Sequence, residues 1–157
     1  MSSLFRVYNF PVPEKVVNEL LEMNQKTQAF GLTLTPAQIQ QMITARNKVL
    51  RDYGRVELGF EVTKQLMELF CASPYINNEN YATTLHELHE IFYYLRNETE
   101  DKIGDAKLIG LMKDYFDNEC AGSLELLKST LEEFAEQFRR RALHSESLFG
   151  EDDEFGL

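Results

Sequence analysis

The feature that most constrains this chain is the spacing of its large apolar side chains. From Val16 to Phe138 they recur every three or four residues, and no stretch alternates convincingly between apolar and polar positions. A period near 3.6 residues buries one face of a helix, whereas a half-buried strand requires a period of two. The pattern therefore predicts an all-α protein.

Helix boundary signals divide this pattern into about six helices. In the clearest case Thr35 precedes Pro36 and Gln38, which is the sequence of a capping box with proline at the first helical position. Gly54 then supplies the residue favoured where a helix ends in the left-handed conformation. Because the predicted loops are short, we expect a single compact domain over residues 1–142, arranged as an orthogonal array or a bundle.

The formal net charge of −10 is divided evenly between the predicted domain and the segment 143–157. Five of the 26 acidic residues lie in that segment, which has no Lys or Arg, so 21 acidic and 16 basic residues remain and leave −5. We expect the segment to be a disordered, mobile acidic tail, because it has too few apolar residues to pack. The acidic field also argues against nucleic-acid and membrane partners.

The remaining composition indicates a protein of the cytoplasm. Cys71 and Cys120 are too few for a disulfide framework, and we expect both to be small buried side chains. The N-terminal residues lack the basic start and long apolar run of a signal peptide. No stretch approaches the roughly 18 apolar residues of a membrane span.

The stretch LHELHEIFYYLRNETED, residues 85–101, is the one place where histidines and carboxylates cluster. A metalloprotease helix needs H-E-x-x-H, but His86, Glu87 and His89 fall one residue short of that spacing. A tetrahedral metal site needs three or four converging ligands, so His86, His89 and Glu90 are candidate metal ligands only if others join them. The simpler interpretation is a pair of half-exposed histidines, and no cofactor is implied.

The same helix has a carboxylate-rich side opposite the face of Leu85, Leu88, Ile91, Phe92 and Leu95, which the helical period predicts to be buried. Either the helix ends near Asn97 and leaves ETED as a loop, or the stripe faces water, or it forms a docking face for a basic partner. In the last case binding should weaken steeply with salt. The candidate partner-binding residues on this side are Glu87, Glu90, Tyr94, Glu98 and Asp101.

The acidic tail offers a second docking hypothesis. Leu148, Phe149 and Phe155 flank its EDDE sequence. Acidic segments that carry a few large apolar residues often act as short peptides that fold on a partner. The alternative is a terminus that only adds solubility.

No motif of a named reaction is present. The leading hypothesis is therefore a non-catalytic helical interaction module, an adaptor or regulator with a protein partner. The first alternative is a metal-binding protein or enzyme that uses the helix containing His86, Glu87, His89 and Glu90. The second is a self-associating structural protein, suggested by the narrow seam of Leu and Phe from Leu124 to Phe138.

Three patches together carry a family resemblance: FGLTLTPAQ at residues 30–38, SPYINNENYATTLHELHEIFYYLRNE at 73–98 and CAGSLELL at 120–127. They resemble a bacterial family of short helical proteins known only as a domain of unknown function. The resemblance implies a bacterial cytosolic protein with a single compact helical domain. It brings no catalytic residues, cofactor or partner.

Overall fold

The structure, a computed structural model, describes residues 12–148, with side-chain environments given for residues 12–144. A single helical turn, Asn24–Thr27, and a 3-10 turn, Gln28–Phe30, connect the first two of its main helices. No strand occurs within residues 12–148, so the all-α prediction is confirmed. The main helices are α1 (Glu14–Leu21), α2 (Pro36–Asp52), α3 (Glu61–Phe70), α4 (Tyr81–Glu98), α5 (Asp105–Asp117) and α6 (Leu124–Leu148).

The boundaries of α2 follow from local sequence. The Thr35 side chain accepts a hydrogen bond from the Gln38 amide at 3.1 Å, and the Gln38 side chain accepts one from the Thr35 amide at 2.9 Å. This reciprocal pair satisfies amides that the helix itself leaves unbonded. At the other end Gly54 adopts a φ of +66°, a left-handed conformation that favours glycine. Both boundary predictions for α2 are confirmed.

Helix α4 is the centre of the domain. It packs against α2, α3, α5 and α6, while α1 covers α2, and α5 also contacts α3 and α6. A helix in this position needs a wide apolar face, because neighbours surround most of its circumference. That face includes the predicted core residues of the stretch, all of them buried: Leu85, Leu88, Ile91, Phe92 and Leu95.

Helix α6 continues to Leu148, beyond residue 143 where the predicted tail begins. The segment between contains neither Gly nor Pro, and adding one residue to an existing helix costs far less than nucleating a new one. Phe149 and Phe155 lie outside the described residues, as does the side chain of Leu148. The tail hypothesis therefore stays a prediction.

Two further expectations can be compared with the structure. Cys71 and Cys120 are both buried and neither forms a disulfide, as expected for small core side chains. Within residues 12–148, no helix combines the length and the apolar content that crossing a bilayer requires.

Candidate functional site

His89 is a core residue, and the prediction of two half-exposed histidines is wrong for it. Its side chain is fully buried, and its two ring nitrogens lie 2.7 Å from the carbonyl oxygen of Leu85 and 2.8 Å from Oγ1 of Thr63. A carbonyl only accepts, so Nδ1 carries the proton and donates to Leu85, while Nε2 accepts from the Thr63 hydroxyl. Both ring nitrogens are satisfied by the protein, which is why this polar side chain can be buried.

His86 does not converge with His89 on a metal site. It is half-buried, and burial lowers its pKa although the nearby carboxylates of Glu87 and Glu90 oppose that shift. Within the described part of the chain, no group of three or more His, Cys, Asp or Glu side chains is arranged to hold a metal ion. With both nitrogens of His89 already hydrogen-bonded, the geometry leaves His86 and Glu90 as two isolated potential ligands.

The carboxylate-rich side of α4 is engaged by cations of the same chain. Glu87 pairs with Lys128 at 3.2 Å, and Glu98 pairs with Arg139. Because residues eleven positions apart on α4 meet residues eleven positions apart on α6, the two helices run parallel. The expectation of a side turned freely toward water is therefore wrong for these two carboxylates.

Asp101, the last residue of the predicted stripe, belongs to a different cluster. It lies beyond the end of α4, where its carboxylate pairs with Arg55 at 2.6 Å and with Arg96 at 3.2 Å. These guanidinium groups lower the pKa of Asp101 below its ordinary value. The cluster fixes the loop that connects α2 to α3 against the end of α4.

Glu57 lies in that same loop and its carboxylate attaches the loop to α4. Its carboxylate accepts hydrogen bonds from Tyr93 at 2.6 Å and Arg96 at 3.1 Å. The buried guanidinium of Arg46 lies 4.2 Å from the ring centre of Phe60 and donates to the carbonyl oxygen of Glu57 at 3.2 Å. These contacts join three elements around one carboxylate, so the cluster is a structural anchor.

The two remaining stripe residues, Glu90 and Tyr94, line a groove whose floor is α4. Helix α2 forms one wall and α6 the other, and the groove has a volume of about 310 Å³. This volume is at the lower end of the range for ligand-binding clefts, which suits a few side chains better than a large cofactor. The groove is lined by Val49, Asp52, Tyr53, Glu90, Ile91, Tyr94, Lys128, Leu131 and Glu132.

The rim of the groove has an excess of negative charge. Three carboxylates, on Asp52, Glu90 and Glu132, face one ammonium group on Lys128. Asp52 pairs with Lys48 at 3.0 Å, and Lys128 is already paired with Glu87. Glu90 and Glu132 are exposed and have no ion-pair partner among residues 12–144. The groove therefore presents two uncompensated carboxylates beside an apolar floor.

Tyr53 and Tyr94 give the groove an aromatic lining. Burial raises the pKa of both hydroxyl groups, and the surrounding carboxylates raise it further, Glu98 foremost for each. Both phenols therefore stay protonated at neutral pH and can donate a hydrogen bond. Neutral rings next to carboxylates also favour a cation, which binds to the face of an aromatic ring.

The sequence identified only the part of this groove that belongs to α4. Glu90 and Tyr94 were both candidate partner-binding residues, whereas the contributions of Asp52, Tyr53 and Glu132 were missed. Asp52 and Tyr53 lie at the C-terminal end of α2 and Glu132 lies on α6, and nothing in their local pattern indicates that they share a surface with α4. The helical period could place each on its own helix but not beside the others.

Comparisons with known proteins give a family but no characterised relative. A family of unknown function (DUF6323) matches residues 19–144, so the chain belongs to that family. No curated protein and no solved structure matches the chain.

Proposed function

We propose that this member of the DUF6323 family is a bacterial, cytoplasmic, non-catalytic interaction module that docks a basic, partly apolar segment of a partner protein in the groove between α2, α4 and α6. The segment would contribute an apolar side chain to the floor and a Lys or Arg side chain to the rim. One observation carries the proposal: two exposed carboxylates without ion-pair partners border an apolar, tyrosine-lined groove.

The shape of the groove supports a peptide segment as the ligand. An amphipathic helix that binds in a groove buries anchors at positions i, i+3, i+4 and i+7. Val49 on one wall, Ile91 on the floor and Leu131 on the other wall give the groove an apolar lining for such anchors. Full burial of one leucine on that floor contributes roughly 1.5–3 kcal/mol, which exceeds the contribution of an exposed ion pair.

The charge of the groove supports selectivity for a basic segment. Positive side chains are attracted to Glu90 and Glu132, whereas an acidic segment would meet like charge at the same positions. Because these carboxylates are exposed, their attraction is screened by salt over a Debye length of about 8–10 Å. We therefore expect charge to determine which segments bind, and the apolar floor to determine how long they stay.

A direct test uses a synthetic probe. A fluorescein-labelled amphipathic peptide with Leu anchors at helical spacing and Arg on its flanks is titrated with the chain, and anisotropy is read at about 50 mM and about 500 mM salt. We expect binding that weakens at least about tenfold in the higher salt. A peptide of the same pattern with Glu in place of Arg should not bind.

Matched variants locate the binding site. Glu90→Gln with Glu132→Gln removes the two unpaired carboxylates, and we expect a loss of affinity on the order of tenfold or more. Glu119→Gln with Glu125→Gln makes the same change of charge at exposed positions outside the groove. Equal losses in the two double variants would show that the probe senses only net charge, and the proposed site would then be wrong.

A further inference from the structure

The loop between α2 and α3 has an inverted arrangement of polar and apolar side chains. Glu57 points into the domain, where its carboxylate accepts hydrogen bonds from Tyr93 and Arg96. Its two neighbours in the chain, Val56 and Leu58, are 85% and 94% exposed, more than any other large apolar side chain among residues 12–144. Val56 and Leu58, the loop patch, therefore form an apolar surface that the described residues leave uncovered.

The loop patch is held outward by contacts on both sides of it. Arg55, which precedes the patch, pairs with Asp101 at 2.6 Å. Gly59, which follows it, accepts a hydrogen bond through its carbonyl oxygen from the buried guanidinium of Arg46. Turning the patch inward would break these contacts and expose the carboxylate of Glu57, so only a separate segment can cover it.

The start of α1 lies at the same end of the domain as the loop patch. Glu19 on α1 pairs with Lys64 on α3 at 2.6 Å, and Lys26, in the turn after α1, pairs with Glu68 further along α3 at 3.0 Å. Both contacts advance in the same direction, so α1 and the turn that follows it run parallel to α3. Helix α3 begins directly after the loop that contains the patch. The chain therefore enters α1 beside that loop.

Residues 1–11 have the composition of a covering segment. They include one Arg and no Asp or Glu, although the whole chain has 26 acidic residues. An extended chain advances about 3.3 Å per residue, so four residues before residue 12 already span about 13 Å. The positive charge of Arg6 also suits the exposed carboxylate of Glu61 at the start of α3. Five of the seven residues 4–10 have large apolar side chains: Leu4, Phe5, Val7, Tyr8 and Phe10.

We propose that the loop patch is the docking surface for residues 4–10 of the same chain, whose apolar side chains pack on Val56 and Leu58. The contact is intramolecular, and a segment tethered beside its site has an effective concentration on the order of millimolar. A small apolar contact is then enough to keep the segment bound for most of the time. This inference is independent of the groove between α2, α4 and α6.

A double-mutant cycle on the full chain tests the contact. Leu58→Ser changes the patch, and Leu4→Ser with Phe5→Ser changes the segment, where one of two adjacent side chains faces the patch if the segment is extended. In urea denaturation each change alone should raise the equilibrium constant of unfolding about tenfold. Combining them should add little more, because both remove the same contact. Leu126→Ser, at a 52% exposed position on α6, is the control, and its effect should add fully to that of the segment variant.

A nitroxide label on Ser3→Cys identifies where the segment lies. Cys71 and Cys120 are buried, so the label attaches at position 3. We expect the label to broaden the amide NMR signals of the loop patch, and the broadening to decrease when Leu4→Ser with Phe5→Ser is added.

Three results would overturn the proposal. One is a cycle in which the effects of the patch and segment variants add fully, as for two residues that do not touch. The second is a label that broadens the groove residues Glu90 and Glu132 but leaves Val56 and Leu58 unchanged. The third is broadening that appears in full when nitroxide-labelled chains are mixed with separate isotope-labelled chains, because a second copy would then supply the segment.

Discussion

We predict that His89 makes the stability of this domain depend on pH. Burial lowers the pKa of His89 from 6.5 to about 4, so only the unfolded chain binds a proton between these values. The free energy of unfolding is therefore unaffected by this titration above about pH 6.5. It decreases as the pH falls toward about 4, by roughly 3 kcal/mol in all. Urea denaturation at a series of pH values between about 7 and about 4 measures this slope.

The variant His89→Gln isolates that effect. Asp101 and Asp105, whose pKa values are shifted in opposite directions, contribute similarly to the wild type and to the variant. The free energy of unfolding of the wild type minus that of His89→Gln should therefore decrease as the pH falls below about 6.5. If the two proteins lose stability in parallel, His89 is not the titrating group.

Gly122 is required by both backbone and packing. Its φ is +82°, and a Cβ atom at this position would lie 2.5 Å from Cβ of Tyr75. We expect Gly122→Ala to lower the free energy of unfolding by about 3 kcal/mol, because the strained backbone and the collision act together. Gly31→Ala is the matched control, since Gly31 has a φ of +78° and no atom within 4 Å of its Cβ position. Gly31→Ala should lower the free energy of unfolding by only about 1 kcal/mol. Equal losses for the two variants in urea denaturation would exclude the collision with Tyr75.

At the scale of elements, the Glu57 side chain connects the loop between α2 and α3 to both helices α2 and α4. Glu57→Gln retains the size of the side chain but removes the charge that faces Arg46 and Arg96. Arg46 is almost completely buried and would lose its nearby counter-charge, so we expect a loss of about 2 kcal/mol in the free energy of unfolding. Glu68→Gln is the control: it breaks the exposed pair with Lys26 and should change the free energy of unfolding by less than about 0.5 kcal/mol. If Glu57→Gln and Glu68→Gln lower the stability by similar amounts in thermal or urea denaturation, Glu57 contributes no more than an exposed surface charge.

The helical elements show where sequence reasoning was sufficient. Thr35 and Gly54 were identified as boundaries because a cap involves neighbours within four residues, and those neighbours can be read from the chain. His89 was misjudged because its burial depends on Thr63, a residue on α3 that only the packed structure places 2.8 Å away. The same limit applies to Glu98, whose partner Arg139 lies 41 positions later.

For the whole molecule, we predict that folding does not require residues 143–157. The side chains of Leu143 and His144 are exposed, so a chain that ends at Ala142 should unfold within about 0.5 kcal/mol of the full chain at low concentration. Urea denaturation measures this change in the free energy of unfolding. A loss of more than about 2 kcal/mol would show instead that the segment packs against the domain.

The sequence by itself determined the helical class, the core face of α4 and the boundaries of α2, because each depends on a short repeating pattern or on neighbouring residues. Only the tertiary structure decided that Tyr53, Tyr94 and Glu132 share one groove, and that Glu90 lacks the counter-ion that Glu87 has. Which faces of separate helices meet depends on packing between residues far apart in the chain. The hydrophobic period places a side chain inside or outside, but it does not specify the neighbour that the side chain meets.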